Sequence, residues 1–325
     1  MSSQDAAPQN TYWRLYVPKL FTVLRDGYDL KRFMSDATAG LTVAIVALPL
    51  SMALAIASGT TPDRGLYTAI VAGFLISALG GSRFQIGGPT GAFVVVVFDV
   101  VATHGYDGLV IATLMAGIML ILAGFAKLGT LIKYVPHPVV TGFTAGIAVI
   151  IFSSQVAEVL GLHLDQNPAA FIEKWIAYSG ALHTFEPATF AVAMASLAVI
   201  VGCRIWRPQW PMFLIAVCAS AGAVVALGLP VATIGTRFGE LPHMLPEPAF
   251  PALSIDRVRA LLPSAFAITF LAGIESLLSA VVADSMTGRR HRSNSELVAQ
   301  GVANIASSLL GGIPTTGAIA RTATN

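Results

Sequence analysis

After a polar start, apolar runs follow one another along the whole chain, separated by short polar breaks. A helix needs roughly 20 apolar residues to cross a hydrocarbon core about 30 Å thick. Measured against that length, the pattern predicts helices near 38–58, 64–80, 91–103, 108–127, 137–159, 187–203, 210–228, 261–283 and 296–312, with another beginning near 316. The segment at 91–103 is too short to span. It follows Phe84-Gln-Ile-Gly-Gly-Pro-Thr90, a poor start for a helix at a membrane surface. Chain without helical hydrogen bonds is tolerated at membrane depth only where protein or a watery cavity satisfies its backbone. The reading is therefore extended chain followed by a half-helix starting near the midplane. Pro89-Thr-Gly-Ala92 opens that half-helix, and Ile313-Pro-Thr-Thr-Gly-Ala318 has matching residues where the last segment begins. Interrupted segments at corresponding positions of two halves point to an inverted-repeat transporter with its site between them.

Composition agrees with a bilayer as solvent. Of 325 residues, 55% are hydrophobic and 11% charged, against roughly 25% charged in an average soluble domain. The fold class is an all-α polytopic membrane protein. Net charge is +2 and the basic residues fall in short loop clusters, which suggests no nucleic-acid partner. Those clusters report orientation instead. The polar N-terminus with Arg14, Lys19, Arg25, Lys31 and Arg32 shares a side with Arg83, Lys127, Lys133, Arg204, Arg207 and Arg289–Arg292. The opposite loops contain Asp63–Arg64, Asp107, and Asp165 through Glu186 with Lys174. By the positive-inside rule the N-terminus is cytoplasmic, in an inner or plasma membrane. Residues 1–35 lack the layout of a cleaved signal peptide. Cys203 and Cys218 lie singly near apolar segments and read as packing residues.

Two facing half-helices present backbone N–H groups and positive dipole ends to one cavity, an arrangement that favours an anion. The candidates are Thr90, Gly91, Ala92 and Phe93 on one side and Thr315, Thr316, Gly317, Ala318 and Ile319 on the other; interhelical packing of small residues is the competing reading. Glu275 sits in the middle of the apolar span 261–283, where a carboxylate marks a pathway, relay or ion site. A protonatable group there would couple proton uptake to anion binding by removing repulsion; a neutral Glu hydrogen-bonded across helices is the alternative. Ser279 lies one turn away on the same face. Arg321 follows the second half-helix start by about a turn and either points a permanent positive charge at the cavity or lies in a watery loop. Pro49 interrupts the first span and lines the cavity with Ser51 and Met52, or serves helix packing. Asp99, His137, Gln155 and Glu158 read as interfacial or end-of-helix residues. There is no His/Cys/Asp cluster with metal spacing, no nucleophile with a nearby base and no phosphate loop, so neither an enzyme nor a cofactor is expected.

The stretches His137-Pro-Val-Val-Thr-Gly-Phe-Thr-Ala-Gly146, Pro62-Asp-Arg-Gly-Leu-Tyr67, and Asn294-Ser-Glu-Leu-Val-Ala-Gln-Gly301 through Asn304 to Pro314-Thr-Thr-Gly-Ala-Ile-Ala-Arg321 resemble the SulP sulfate permease family. The resemblance runs from Asp36 onward. It implies a seven-plus-seven inverted repeat whose core domain moves substrate past a gate domain, followed by a cytoplasmic STAS domain and assembled as a homodimer. Carried over, it makes 36–134 core helices 1–4, 135–230 gate helices 5–7, 231–260 an extracellular loop, and 261–325 core helices 8, 9 and the start of 10. Gly91, Ala92, Gly317, Ala318 and Arg321 then meet the anion, and Glu275 is the coupling carboxylate. The substrate is a small anion, sulfate ahead of bicarbonate or a dicarboxylate, with a proton or sodium as coupling ion. An anion channel, a nucleobase permease of related fold and a non-transporting membrane subunit stay open as rivals. On this reading the last core helices, most of the gate and the STAS domain lie outside the 325 residues. The expectation is that purified chain of this length, placed in liposomes, accumulates no anion; saturable uptake would overturn it.

Overall fold

The computed structural model describes residues 15–134, 137–164, 168, 170–207, 210, 212–240 and 242–324. Arg14, Asp165 and the side chains of Lys133 and His137, all named above, lie outside the described part. A short helix α1 (Lys19–Arg25) precedes the first long one, α2 (Leu30–Ala57). That helix starts well before the predicted residue 38, because Asp29 caps it by accepting from the Arg32 N–H at 2.9 Å. Its first turns contain Lys31, Arg32 and Asp36, so hydropathy alone misses them. The same correction applies to α11 (Ile255–Thr287), predicted as 261–283. It is capped by Ser254, which accepts from the Arg257 N–H at 3.2 Å, and stopped by Gly288 in the left-handed region.

The second span is not one regular helix. α3 (Pro62–Tyr67) passes through a π-helical turn (Thr68–Ala72) into α4 (Gly73–Leu79), and Thr68 in that turn accepts the Ile313 N–H at 2.8 Å. Extended chain follows, with β1 (Gly87–Gly88), a 3-10 turn (Gly91–Phe93) and α5 (Val94–Phe125), which breaks at Gly105 with φ 69. Before the break Phe98 packs at Gly59, and after it Tyr106 lies under the Arg64 guanidinium and donates to Gly312 O at 2.8 Å. At the far end Phe125 O accepts from Tyr16 Oη at 3.2 Å, beside Lys19 bonded to Gly80 O. The chain therefore runs out to Gly105 and back, as the predicted pair 91–103 and 108–127 requires.

Next come α6 (His137–Leu160), α7 (Phe171–Gly180), α8 (Pro187–Trp206), α9 (Met212–Leu227) and α10 (Ile234–Phe238); after α11 come α12 (Ser293–Leu309), β2 (Thr316–Gly317) and α13 (Ile319–Thr324). α7 falls in a stretch read from sequence as loop; it docks on α6 through Tyr178 Oη, which donates to Ser153 O at 3.0 Å. Among the described residues, four helices are long and apolar enough to cross a membrane, in α2, Gly91–Phe125, α8 and α11.

The apolar core lies where α5, α11 and α12 meet, with Phe93, Val97, Val100, Leu120, Ile268 and Leu297 buried together. Small residues allow that approach: a Cβ on Gly301 would stand 2.5 Å from Gly117 O, and one on Gly117 would stand 2.7 Å from Gly301 O. By contrast α8 buries none of its described residues and α9 buries Ala216 alone. Cys218 is exposed on α9, while Cys203 is half-buried. Gly301→Val should overpack the α5–α12 contact by about 1–3 kcal/mol or more. A lower melting temperature in detergent checks this, with Gly222→Val, whose Cβ would meet open space, as the control.

Candidate functional site

The two interrupted segments meet as a two-stranded antiparallel ladder, with Gly87 opposite Gly317 and Gly88 opposite Thr316. Ala318 N–H extends the pairing by donating to Ile86 O at 2.8 Å. Helical chain begins within a few residues of each strand, at Gly91 and at Ile319, so two helix starts flank one crossing. Glycine is required here for closeness. A Cβ on Gly317 would stand 1.8 Å from Gln85 Nε2, and one on Gly88, whose φ is 152, would stand 2.5 Å from Arg321 Nη1.

Around this crossing sit the two charges singled out from sequence. Glu275 is 6% exposed, and its Oε2 accepts from Thr90 Oγ1 at 2.8 Å. Arg321 is 3% exposed, which rules out the watery-loop reading, and its Nη2 donates to Pro89 O. Neighbouring residues of the first segment thus tie down one acid from α11 and one base from α13. Thr316 Oγ1 donates to Ala272 O at 2.8 Å, and Ser279 bonds Thr322 at 3.0 Å rather than turning to Glu275.

Not every predicted donor points into the gap. Phe93 N–H donates to Thr90 O at 3.3 Å and its ring belongs to the core, while Ala318 N–H is held by Ile86. Gly91 and Ala92 head the first helix, where N–H groups lack intrahelical partners. Ser51 is fully buried with its backbone against Gly65, so it packs rather than lines a cavity. Pro49 does line one: a cavity of about 410 Å³ lies between α2, α8, α9 and α13, bounded by Ile45, Pro49, Phe213, Ala216, Ala320 and Arg321 among others. Its wall is mostly apolar and Arg321 supplies its charge. Of the other polar candidates, Asp99 is exposed and Glu158 pairs with Arg237 at 2.9 Å, both away from the crossing.

Residues 33–325 match the family model described as the sulfate permease family. The chain belongs to the sulfate permease family. Among its relatives, the putative sulfate transporter YvdB of Bacillus subtilis is 49% identical over 300 residues, covering 92% of this chain and 57% of that protein. The bicarbonate transporter BicA of Picosynechococcus is 32% identical, covering 91% of this chain and 54% of the other. The chain thus spans about half the length of the curated relatives it matches. The solved transmembrane domain of a cyanobacterial BicA superimposes with a TM-score of 0.80 at 31% identity, over 91% of this chain and 77% of that one. Murine Slc26a9, an anion transporter in the inward-facing state, shares the fold at a TM-score of 0.82 and 15% identity, over 99% and 57% of the two chains. The family and these relatives are transporters rather than enzymes, and the protein is a multi-pass membrane protein.

In this sulfate permease family member, residues beyond those read from sequence complete the crossing. Gln85 Nε2 donates to Ser276 O at 3.1 Å and to Ser276 Oγ at 2.9 Å. Asn304 receives the Thr315 N–H at 2.9 Å and donates to Thr315 O at 2.9 Å. Glu296 and Gln300 are buried beside them. A signal for these was present: Glu296, Gln300, Asn304 and Ser307 recur at helical spacing, a polar stripe in an apolar chain. Gly317→Ala should force Gln85 aside and lower the melting temperature, by about 1–3 kcal/mol of overpacking. Adding Gln85→Ala, which vacates that space, should restore part of the loss.

Proposed function

We propose that the protein is a secondary active transporter of a small anion, sulfate ahead of bicarbonate or a dicarboxylate, coupled to protons. The observation that carries this reading is the crossing itself: two helix starts, a buried guanidinium and a buried carboxylate meet where two extended strands pair. The anion would bind between Thr90, Gly91, Ala92 and Phe93 on one side and Thr316, Gly317, Ala318 and Arg321 on the other. The donors at Gly91 and Ala92 favour negative charge there, and Arg321 adds a charge that cannot be lost at neutral pH. Glu275 is the coupling group. Ionised, it repels an arriving anion; protonated, it presents a neutral hydroxyl beside Thr90. The names of the relatives, a putative sulfate transporter and a bicarbonate transporter, support the substrate class.

Motion would be a rigid displacement of a core, built from α2–α5 and α11–α13, past a gate formed by α6–α9. The cavity at Arg321 supports this division, since its wall joins α2 and α13 to α8 and α9. The end that gathers Arg83, Arg292 and the N-terminal segment faces the cytoplasm, and the full-length protein works as a homodimer.

The test is uptake of radiolabelled sulfate, bicarbonate and succinate by the full-length protein in proteoliposomes under an imposed pH gradient. One anion should accumulate faster with acid outside. Glu275→Gln should lose that acceleration and show the same uptake at either gradient. Loss of all uptake in Arg321→Ala, with normal insertion, is the companion expectation. An unchanged pH response in the Gln variant would exclude Glu275 as the coupling group.

A further inference from the structure

We infer that Glu296 is a positioning residue for this site, holding the strand crossing in shape through Ser276 and Gln85. The inference rests on reading the crossing as the anion site. Glu296 lies in the first turn of α12 and is completely buried. A carboxylate in such a place is tolerable only where donors surround it. It has three, drawn from three places: Gly81 N–H at 2.8 Å after α4, Ser276 Oγ at 3.2 Å on α11 and Gln300 Nε2 at 3.0 Å on α12.

The direction of these bonds matters. An ionised carboxylate accepts only, and a serine hydroxyl has one proton to give. Because Ser276 gives its proton to Glu296, its oxygen is left to accept, and Gln85 Nε2 donates to it at 2.9 Å. One order of donors therefore runs Gln85, Ser276, Glu296. The same Nε2 also donates to Ser276 O at 3.1 Å, so the hydroxyl adds to a main-chain bond in setting which end of the Gln85 amide faces α11, and that nitrogen occupies the space a Gly317 Cβ would fill. Ser276 also follows Glu275 directly, so the hub clamps the turn of α11 that presents the coupling carboxylate. Glu296→Gln keeps the shape but adds an N–H. Set where Oε2 was, it faces the Gly81 N–H, donor against donor. Set where Oε1 was, it faces Gln300 Nε2, donor against donor, and takes away the acceptor of the Ser276 hydroxyl proton, weakening the bond from Gln85 Nε2 to Ser276 Oγ while the one to Ser276 O remains.

The test compares the parent with Glu296→Gln, Gln85→Leu and the double variant, full length, in proteoliposomes supplied with radiolabelled sulfate, bicarbonate and succinate. Thermal stabilisation of the purified proteins by the same anions is measured alongside. Glu296→Gln should raise KM about tenfold, the scale expected from one lost bond to a charged group, while acceleration by outside acid persists because Glu275 is intact. The double variant should be no worse than the poorer single one, since both break one chain of bonds. A parental KM in Glu296→Gln, or losses that multiply in the double variant, overturns the inference. If Glu296→Gln does not insert, Ser276→Ala takes its place, and a parental KM there overturns the inference equally. A parent that shows neither uptake nor stabilisation overturns the anion-site reading and this inference with it.

Discussion

Backbone that is neither helix nor barrel has no water to turn to inside a bilayer, and each unsatisfied group there costs several kcal/mol. The crossing of β1 and β2 answers that constraint, and much of the fold follows from it. Two glycine-containing strands pair with each other, which needs close approach. Their flanks are bonded by side chains from α11 and α12, which must then be polar on one face. The π-helical turn belongs to the same solution: it places Thr68 to receive the Ile313 N–H while Ser307 donates to Ile313 O. Asn304 does the same for both backbone groups of Thr315. The buried polar stripe of α12 is thus the consequence of two broken helices, and it belongs to the same arrangement as the apolar core formed with α5.

Sequence and structure meet best where a residue type is conspicuous against lipid. A short apolar segment behind Gly-Gly-Pro, a repeat of Pro-Thr-Gly-Ala types, a lone mid-span Glu275 and Arg321 all stand out in an apolar chain, and they come together at one place. What stayed hidden depends on register. Which N–H of the second segment meets the strand partner is set by pairing Gly87 with Gly317, so Ala318 could not be separated from its neighbours beforehand. Gln85 and Glu296 are more than two hundred residues apart in sequence and gain meaning only through Ser276. Helix ends escaped for a different reason: Asp29 and Ser254 start their helices in polar chain, where hydropathy has nothing to report.

The two central charges are held in contrasting ways. Glu275 takes a hydroxyl from Thr90, a donor that can rotate, whereas Arg321 is fixed on a main-chain carbonyl of Pro89. The cation is part of the scaffold and the acid keeps a partner that tolerates either protonation state. On the proposed reading, that asymmetry is what lets one charge stay constant while the other varies.

The helices across the cavity from Arg321 are built on other terms. α8 buries nothing among its described residues, and α9 touches the interior at Ala216. Their outer faces show Leu197, Val201, Ile205 and Val225 to the surroundings. Among the described residues, few side chains of these helices interlock with the helices across the cavity. On the proposed reading, a boundary of that kind leaves few interlocked side chains to unpack when the core moves. Such a seam would act as a lightly loaded bearing, letting one side shift without dismantling the packing that holds the crossing.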